Sequence, residues 1–128
     1  MIVLDASAWV EMLLGTHLPP SPEDEIRVPP HFDVEVLGML RSLAQRGVLS
    51  DEDASSAMAR HLRAPFDSER HEDDIRQAWN WREAMSFGDG WYTAMALRLN
   101  ATWLTTDGRA APTAQRLGAR TARPDPAP

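Results

Sequence analysis

Short apolar runs alternate with longer helical segments along this chain, and two of the runs stop on an aspartate. Met1-Ile-Val-Leu leads into Asp5, and residues 101–106 lead into Asp107. Further strands are expected at 26–28, closed by Pro29-Pro30, at 64–68, and at 120–122 on a sheet edge. Between them, helical patterns cover residues 6–14, 31–46, 51–63, 69–85, 88–99 and 113–117. The second carries an apolar stripe of Phe32, Val36, Leu40 and Leu43. Gly15 and Gly47 follow the first two helices as stops, and Ser50 with Asp53 forms a capping signal for the third. Alternation of this kind specifies an α/β domain with a mostly parallel sheet. Such sheets build their sites beyond the carboxyl ends of the strands, near the point where strand order reverses. Asp5 and Asp107 both occupy such ends.

A chain of 128 residues suits one domain with one core. Residues 1–123 are expected to form it, with the proline-rich stretch 124–128 as a disordered tail. The apolar start carries Asp5 and Glu11 and has no basic leader, unlike a signal peptide. No apolar stretch reaches the ~18 residues that span a bilayer, so a cytoplasmic protein is expected.

Absence of cysteine excludes disulfides, thiolate zinc sites and cysteine nucleophiles. His17, His31, His61 and His71 show no paired spacing typical of zinc sites and are expected on the surface or in loops. Any metal would then be held by oxygen, which favours Mg²⁺ or Mn²⁺. All 13 Lys+Arg positions are arginine, so a Walker-A phosphate loop and Schiff-base chemistry are both excluded. The net charge of −6 is unusual for a nucleic-acid binder. Divalent ions at a carboxylate site would offset much of it, and local arginines would have to meet phosphates.

A single acid after a strand commonly caps the next helix. Two at strand ends, with others at helix starts, describe a shared site instead. Crowded carboxylates repel and raise one another's pKa unless a cation neutralises them. Asp89 opens the helix in Phe87-Gly-Asp-Gly-Trp91 and shares a helical face with the small residues Thr93 and Ala96. Asp33 and Glu35 flank the apolar stripe of their helix at similar angles, and periodicity does not choose between them.

Four segments, in order, resemble the PIN-domain ribonucleases, most closely the VapC-type toxins of bacterial toxin–antitoxin pairs. They are Ile2-Val-Leu-Asp5-Ala-Ser7-Ala, Val34-Glu35-Val36-Leu37 with Leu40-Arg41, Asp89-Gly-Trp-Tyr92-Thr-Ala94-Met-Ala96, and Leu104-Thr105-Thr-Asp107. The resemblance implies a three-layer α/β/α fold and a site for Mg²⁺ or Mn²⁺. It selects Glu35 over Asp33, giving Asp5, Glu35, Asp89 and Asp107 as the acids. It also makes Ser7 and Thr105 the hydroxyls that orient them. Gly90 departs from the family's usual alanine.

The expected chemistry is in-line hydrolysis of an RNA phosphodiester by metal-activated water. Arg109, two residues past Asp107, is within reach of a phosphate, or is simply a solvated helix-start residue. The resemblance further implies a VapB-like antitoxin and a homodimer. Trp79 aligns with Ile75 and Ala78 as a core residue, which leaves Trp81 and Trp91 as interface candidates. Receiver and haloacid-dehalogenase-like domains also place an aspartate after the first strand, but both rely on a lysine this chain lacks. A non-catalytic PIN-like module and a DNA-directed nuclease are the remaining alternatives.

Overall fold

The computed structural model describes all residues, Met1–Pro128. Its elements run β1 (Ile2–Leu4), α1 (Ala6–Leu13), β2 (Ile26–Val28), α2 (Phe32–Gln45), α3 (Asp51–Leu62), β3 (Asp67–Ser68), α4 (Glu72–Asn80), α5 (Phe87–Arg98), β4 (Thr102–Leu104), α6 (Ala110–Arg116) and β5 (Arg120–Ala122). The strands form one all-parallel sheet in the order β3-β2-β1-β4-β5. Helices α1, α2 and α3 pack together on one side, and α4, α5 and α6 on the other, giving the three-layer α/β/α arrangement. No helix is long and apolar enough to cross a membrane.

The chain builds outward from β1 through β2 to β3, then returns to place β4 on the other flank of β1. Strand order therefore reverses between β1 and β4, and Val3 pairs there with Trp103 and Leu4 with Leu104. The central strands are apolar because both their faces are covered. Val3, Leu4, Phe32, Val36, Tyr92, Met95 and Trp103 are core residues, and the Tyr92 and Trp103 rings stack 5.7 Å apart. Gly15 and Gly47 take φ of +81° and +72° just past α1 and α2, a helix-ending geometry that side chains disfavour.

Helix α4 corrects a sequence expectation. It covers less than 69–85 and ends at Asn80, so Trp81 lies in the following turn. Its buried face is Asp74 and Ala78, while Trp79 is 54% exposed. Trp79 thus sits on the surface, with the Arg82 guanidinium 4.5 Å above its ring and Phe87 alongside, whereas Trp81 is half-buried. The cause is a buried charge. Arg98 of α5 donates twice to Asp74, at 2.8 Å each, and turns this acid toward the core. Arg98 also bonds Glu69, which accepts from Arg27 of β2, so the network ties α5 to the sheet edge.

Gly90 has a packing reason. A Cβ there would lie 3.2 Å from both Cα and Cβ of Ala78, so glycine permits the close approach of α4 and α5. His61 also departs from expectation, being buried: Trp9 Nε1 donates to its Nδ1 at 3.0 Å, and its Nε2 lies 2.8 Å from Asp33 Oδ1. The segment 124–128, expected to be disordered, is hydrogen-bonded along the loop after α1. Leu18 N–H donates to the Asp125 carbonyl and Ala127 N–H to that of Thr16.

Replacing Arg98 by alanine leaves Asp74 buried without its cation, and should cost about 3 kcal/mol of stability at neutral pH. Glu69 is held below the usual carboxylate range by its bond to Arg98. Its share of that stability is present above the range and lost as pH falls through the lowered value. Urea melts of wild type and Arg98→Ala should therefore differ most near pH 7 and converge in acid.

Candidate active site

Asp5 leaves β1 with its N–H donating to the Leu104 carbonyl of β4, so neighbouring strand ends position it directly. Its Oδ2 accepts from Ser7 Oγ and, at 2.9 Å, from Thr105 Oγ1. Those hydroxyls also fix the β4 exit. Thr106 N–H donates to Ser7 Oγ at 3.3 Å, and Asp107 N–H to Thr105 Oγ1 at 3.0 Å. Ser7 and Thr105 thus converge on one carboxylate and on the backbone that carries the next. Asp107 Oδ1 accepts from the N–H groups of Arg109 and Ala110 at 2.9 and 3.3 Å. The capping role and the site position therefore coexist in one residue. Arg109 itself is exposed at the N-terminus of α6.

The ambiguity on α2 is resolved by what each acid touches. Asp33 reaches the buried His61. Glu35 Oε1 accepts from Tyr92 Oη at 2.8 Å, with His31 Nε2 at 3.4 Å. Asp89 lies in the first turn of α5, its N–H donating to the helix-capping Ser86 at 3.3 Å.

Burial raises the pKa values of Asp5, Glu35 and Asp89, and mutual repulsion adds to each shift. Glu35 repels Asp5, Asp89 repels Glu35, and both Asp5 and Asp107 repel Asp89. Asp5, Glu35 and Asp89 therefore each feel the charge of a neighbouring acid, with Asp107 acting on Asp89. As placed, no three Asp, Glu or His side chains converge closely enough to chelate an ion; the carboxylates line a common site without closing a cage. In Glu35 and Asp107, one carboxylate oxygen is engaged by protein donors and the other is not.

Two residues enter the site without having been assigned a role from sequence. Tyr92, buried and held far above the usual phenol range, remains a donor to Glu35. His31, lowered by burial, packs against Trp91 and Tyr92 with centroids 5.2 and 5.0 Å away. Trp91 is consequently half-buried on His31. A histidine opening an acid-bearing helix was the available signal.

The raised carboxyl values mean that the fold holds these protons more tightly than the unfolded chain. Stability from this source is full below the ordinary carboxylate range and is lost as pH rises through the raised values. Asp89→Asn, in buffer free of divalent ions, should therefore raise Tm at pH 7.5 by about 3–5 °C. The gain should vanish near pH 4; calorimetry at the two pH values checks both statements.

No family model matches the chain. Among curated proteins, it is 34% identical to ribonuclease VapC12 of Mycobacterium tuberculosis over 116 residues, spanning 87% of this chain and 90% of that one. It is 29% identical to ribonuclease VapC3 of the same organism over 126 residues, spanning 91% and 92%. Among solved structures, the fold matches M. tuberculosis VapC20, described as a sarcin-ricin loop cleaving toxin. The TM-score is 0.64 at 20% identity, over 97% of this chain and 100% of that one. FitAcB from Neisseria gonorrhoeae matches with a TM-score of 0.53 at 14% identity, over 94% and 96%. With VapC12 identity extending through nearly the whole of both chains, this protein belongs to the VapC family of PIN-domain ribonucleases.

Proposed function

We propose that the protein is the toxin of a toxin–antitoxin pair, an endoribonuclease that uses Mg²⁺ or Mn²⁺ to hydrolyse RNA phosphodiester bonds. The observation that carries this is the group of Asp5, Glu35, Asp89 and Asp107, half-buried or buried and mutually repelling. Family membership supplies the ribonuclease class. The donor set fits a hard divalent cation: it is all carboxylate oxygen, and burial lowers the pKa of the neighbouring His31, disfavouring a competing positive charge there. The four acids would hold the ion, which supplies Lewis acidity and a lowered water pKa when bound.

The remaining chemistry belongs to the chain. Ser7 and Thr105 hold Asp5 by Oδ2, Tyr92 holds Glu35 by Oε1, and backbone N–H groups hold Asp107 by Oδ1. Each carboxylate is thereby oriented with its second oxygen directed by the first, which is how supporting partners tune a metal site. A negatively charged site repels RNA until it is neutralised, so cation binding and substrate binding are coupled. The cytoplasm is the proposed location, a homodimer the proposed assembly, and a VapB-like antitoxin the proposed partner covering the site, in keeping with the VapC relatives.

Purified protein should cut RNA with Mg²⁺ or Mn²⁺ and not with EDTA. Asp5→Asn should lower the rate at least ~100-fold and be less toxic on expression; uncut RNA with either metal, together with undiminished toxicity of Asp5→Asn, would defeat the proposal. Saturating Mn²⁺ at ~100 times its Kd should stabilise the wild type by roughly 2.7 kcal/mol, and Asp5→Asn far less. Glu35→Gln should abolish cleavage while Asp33→Asn keeps it and loses only stability, a contrast read by parallel rate and melting measurements.

A further inference from the structure

The net charge of −6 hides a sharp asymmetry. Residues 108–124 contain Arg109, Arg116, Arg120 and Arg123 and no acid at all. Arginine ion pairs in the structure use Arg27, Arg76 and Arg98, so none of these four is neutralised by a carboxylate. Acids crowd other surfaces instead, at Glu23-Asp-Glu25, Asp51-Glu-Asp53 and Glu72-Asp73. These unpaired arginines give α6 and β5 a positive surface that favours an approaching polyanion.

That surface is continuous with the site. A groove is lined by Thr105, Asp107, Gly108, Gln115, Thr121 and Arg123. Asp107 is its one acid, with Oδ1 already taken by backbone donors. Arg123 follows β5 at the site end of the sheet, and its Nη1 donates to the Thr106 carbonyl at 3.3 Å. This bond anchors the guanidinium beside the residue that precedes Asp107, with its other N–H groups open to the groove. Arg109 stands on the far side of Gly108. Arg120, bonded to Asn100, and Arg116, at the end of α6, carry positive charge toward the opposite end of the sheet.

We infer that the α6–β5 groove is the track for the RNA backbone next to the scissile bond, with Arg123 its principal phosphate contact and Arg109 a second. The inference rests on the ribonuclease reading and gives it a strand path. Arg123 acts in binding: it positions the backbone and touches no reacting atom.

The test uses the full chain and a short unstructured RNA labelled with fluorescein. Binding is followed by anisotropy in the cleavage-impaired Asp5→Asn background, with and without Arg123→Gln, across a salt series. Arg123→Gln removes the charge and shortens the side chain, so a purely structural role predicts a lower melting temperature with the salt slope of binding unchanged. Loss of one phosphate contact should weaken binding roughly fivefold and reduce the salt slope by ~0.7. In cleavage assays of otherwise wild-type protein, Arg123→Gln should raise KM with kcat little changed, and Arg123→Lys should restore most of the loss. Equal affinity and slope with and without Arg123→Gln, in a protein whose wild type cuts RNA, would overturn the groove alone. A wild type that neither cuts nor binds RNA would overturn the ribonuclease reading, and the groove with it.

Discussion

Parallel pairing of β1 with β4 is the constraint on which this molecule depends. The two strands are about a hundred residues apart in sequence, and their register sets Leu4 against Leu104. Asp5 and Asp107 consequently emerge at one point of the sheet. Everything between must fold into crossovers that return the chain to the centre, with helices on both faces burying apolar strands. The Ser7–Asp5–Thr105 hydrogen bonds sit on that seam and join the two strand exits. The interaction that orients the first carboxylate is therefore also one that closes the fold.

Placing acids at this seam works against stability. Burial and like charge both oppose their ionisation, and no arginine lies among them to offset it. Elsewhere the chain treats buried charge differently: Asp74 and Glu69 are met by Arg98 and Arg27. One acidic group is neutralised within the fold, while the other has no arginine partner. That difference separates a structural ion network from a functional site.

Much of the architecture was legible in the sequence because it follows from local periodicity. Apolar runs ending on acids marked β1 and β4, Gly15 and Gly47 marked helix ends, and Ser50 does accept the Asp53 N–H. Misreadings arose where a polar residue is buried or an apolar one exposed. Asp74 shares the core face of α4 with Ala78, in the place that Ile75 and Trp79 suggested for themselves. His61 became a core residue because Trp9 and Asp33 satisfy both its ring nitrogens. Residues 124–128 found backbone partners in the loop after α1, and no local pattern could encode that pairing.

The acids show where the boundary lies. Nearest-neighbour chemistry in the sequence placed Asp5 directly after a strand and Asp89 in the first turn of a helix; it ran the second strand up to Asp107, which lies three residues beyond the end of β4 at Leu104. Helical periodicity left Glu35 and Asp33 equivalent, because one helix turn exposes both flanks of an apolar stripe equally. The family resemblance selected Glu35, and the tertiary structure supplies the physical separation by packing α2 with one flank toward Tyr92 and His31 and the other toward His61. It likewise brought Arg123, far from Asp5 in sequence, to the rim of the same site. Strand pairing and helix packing act across the whole chain, and the convergence of distant charges is visible only after both are complete.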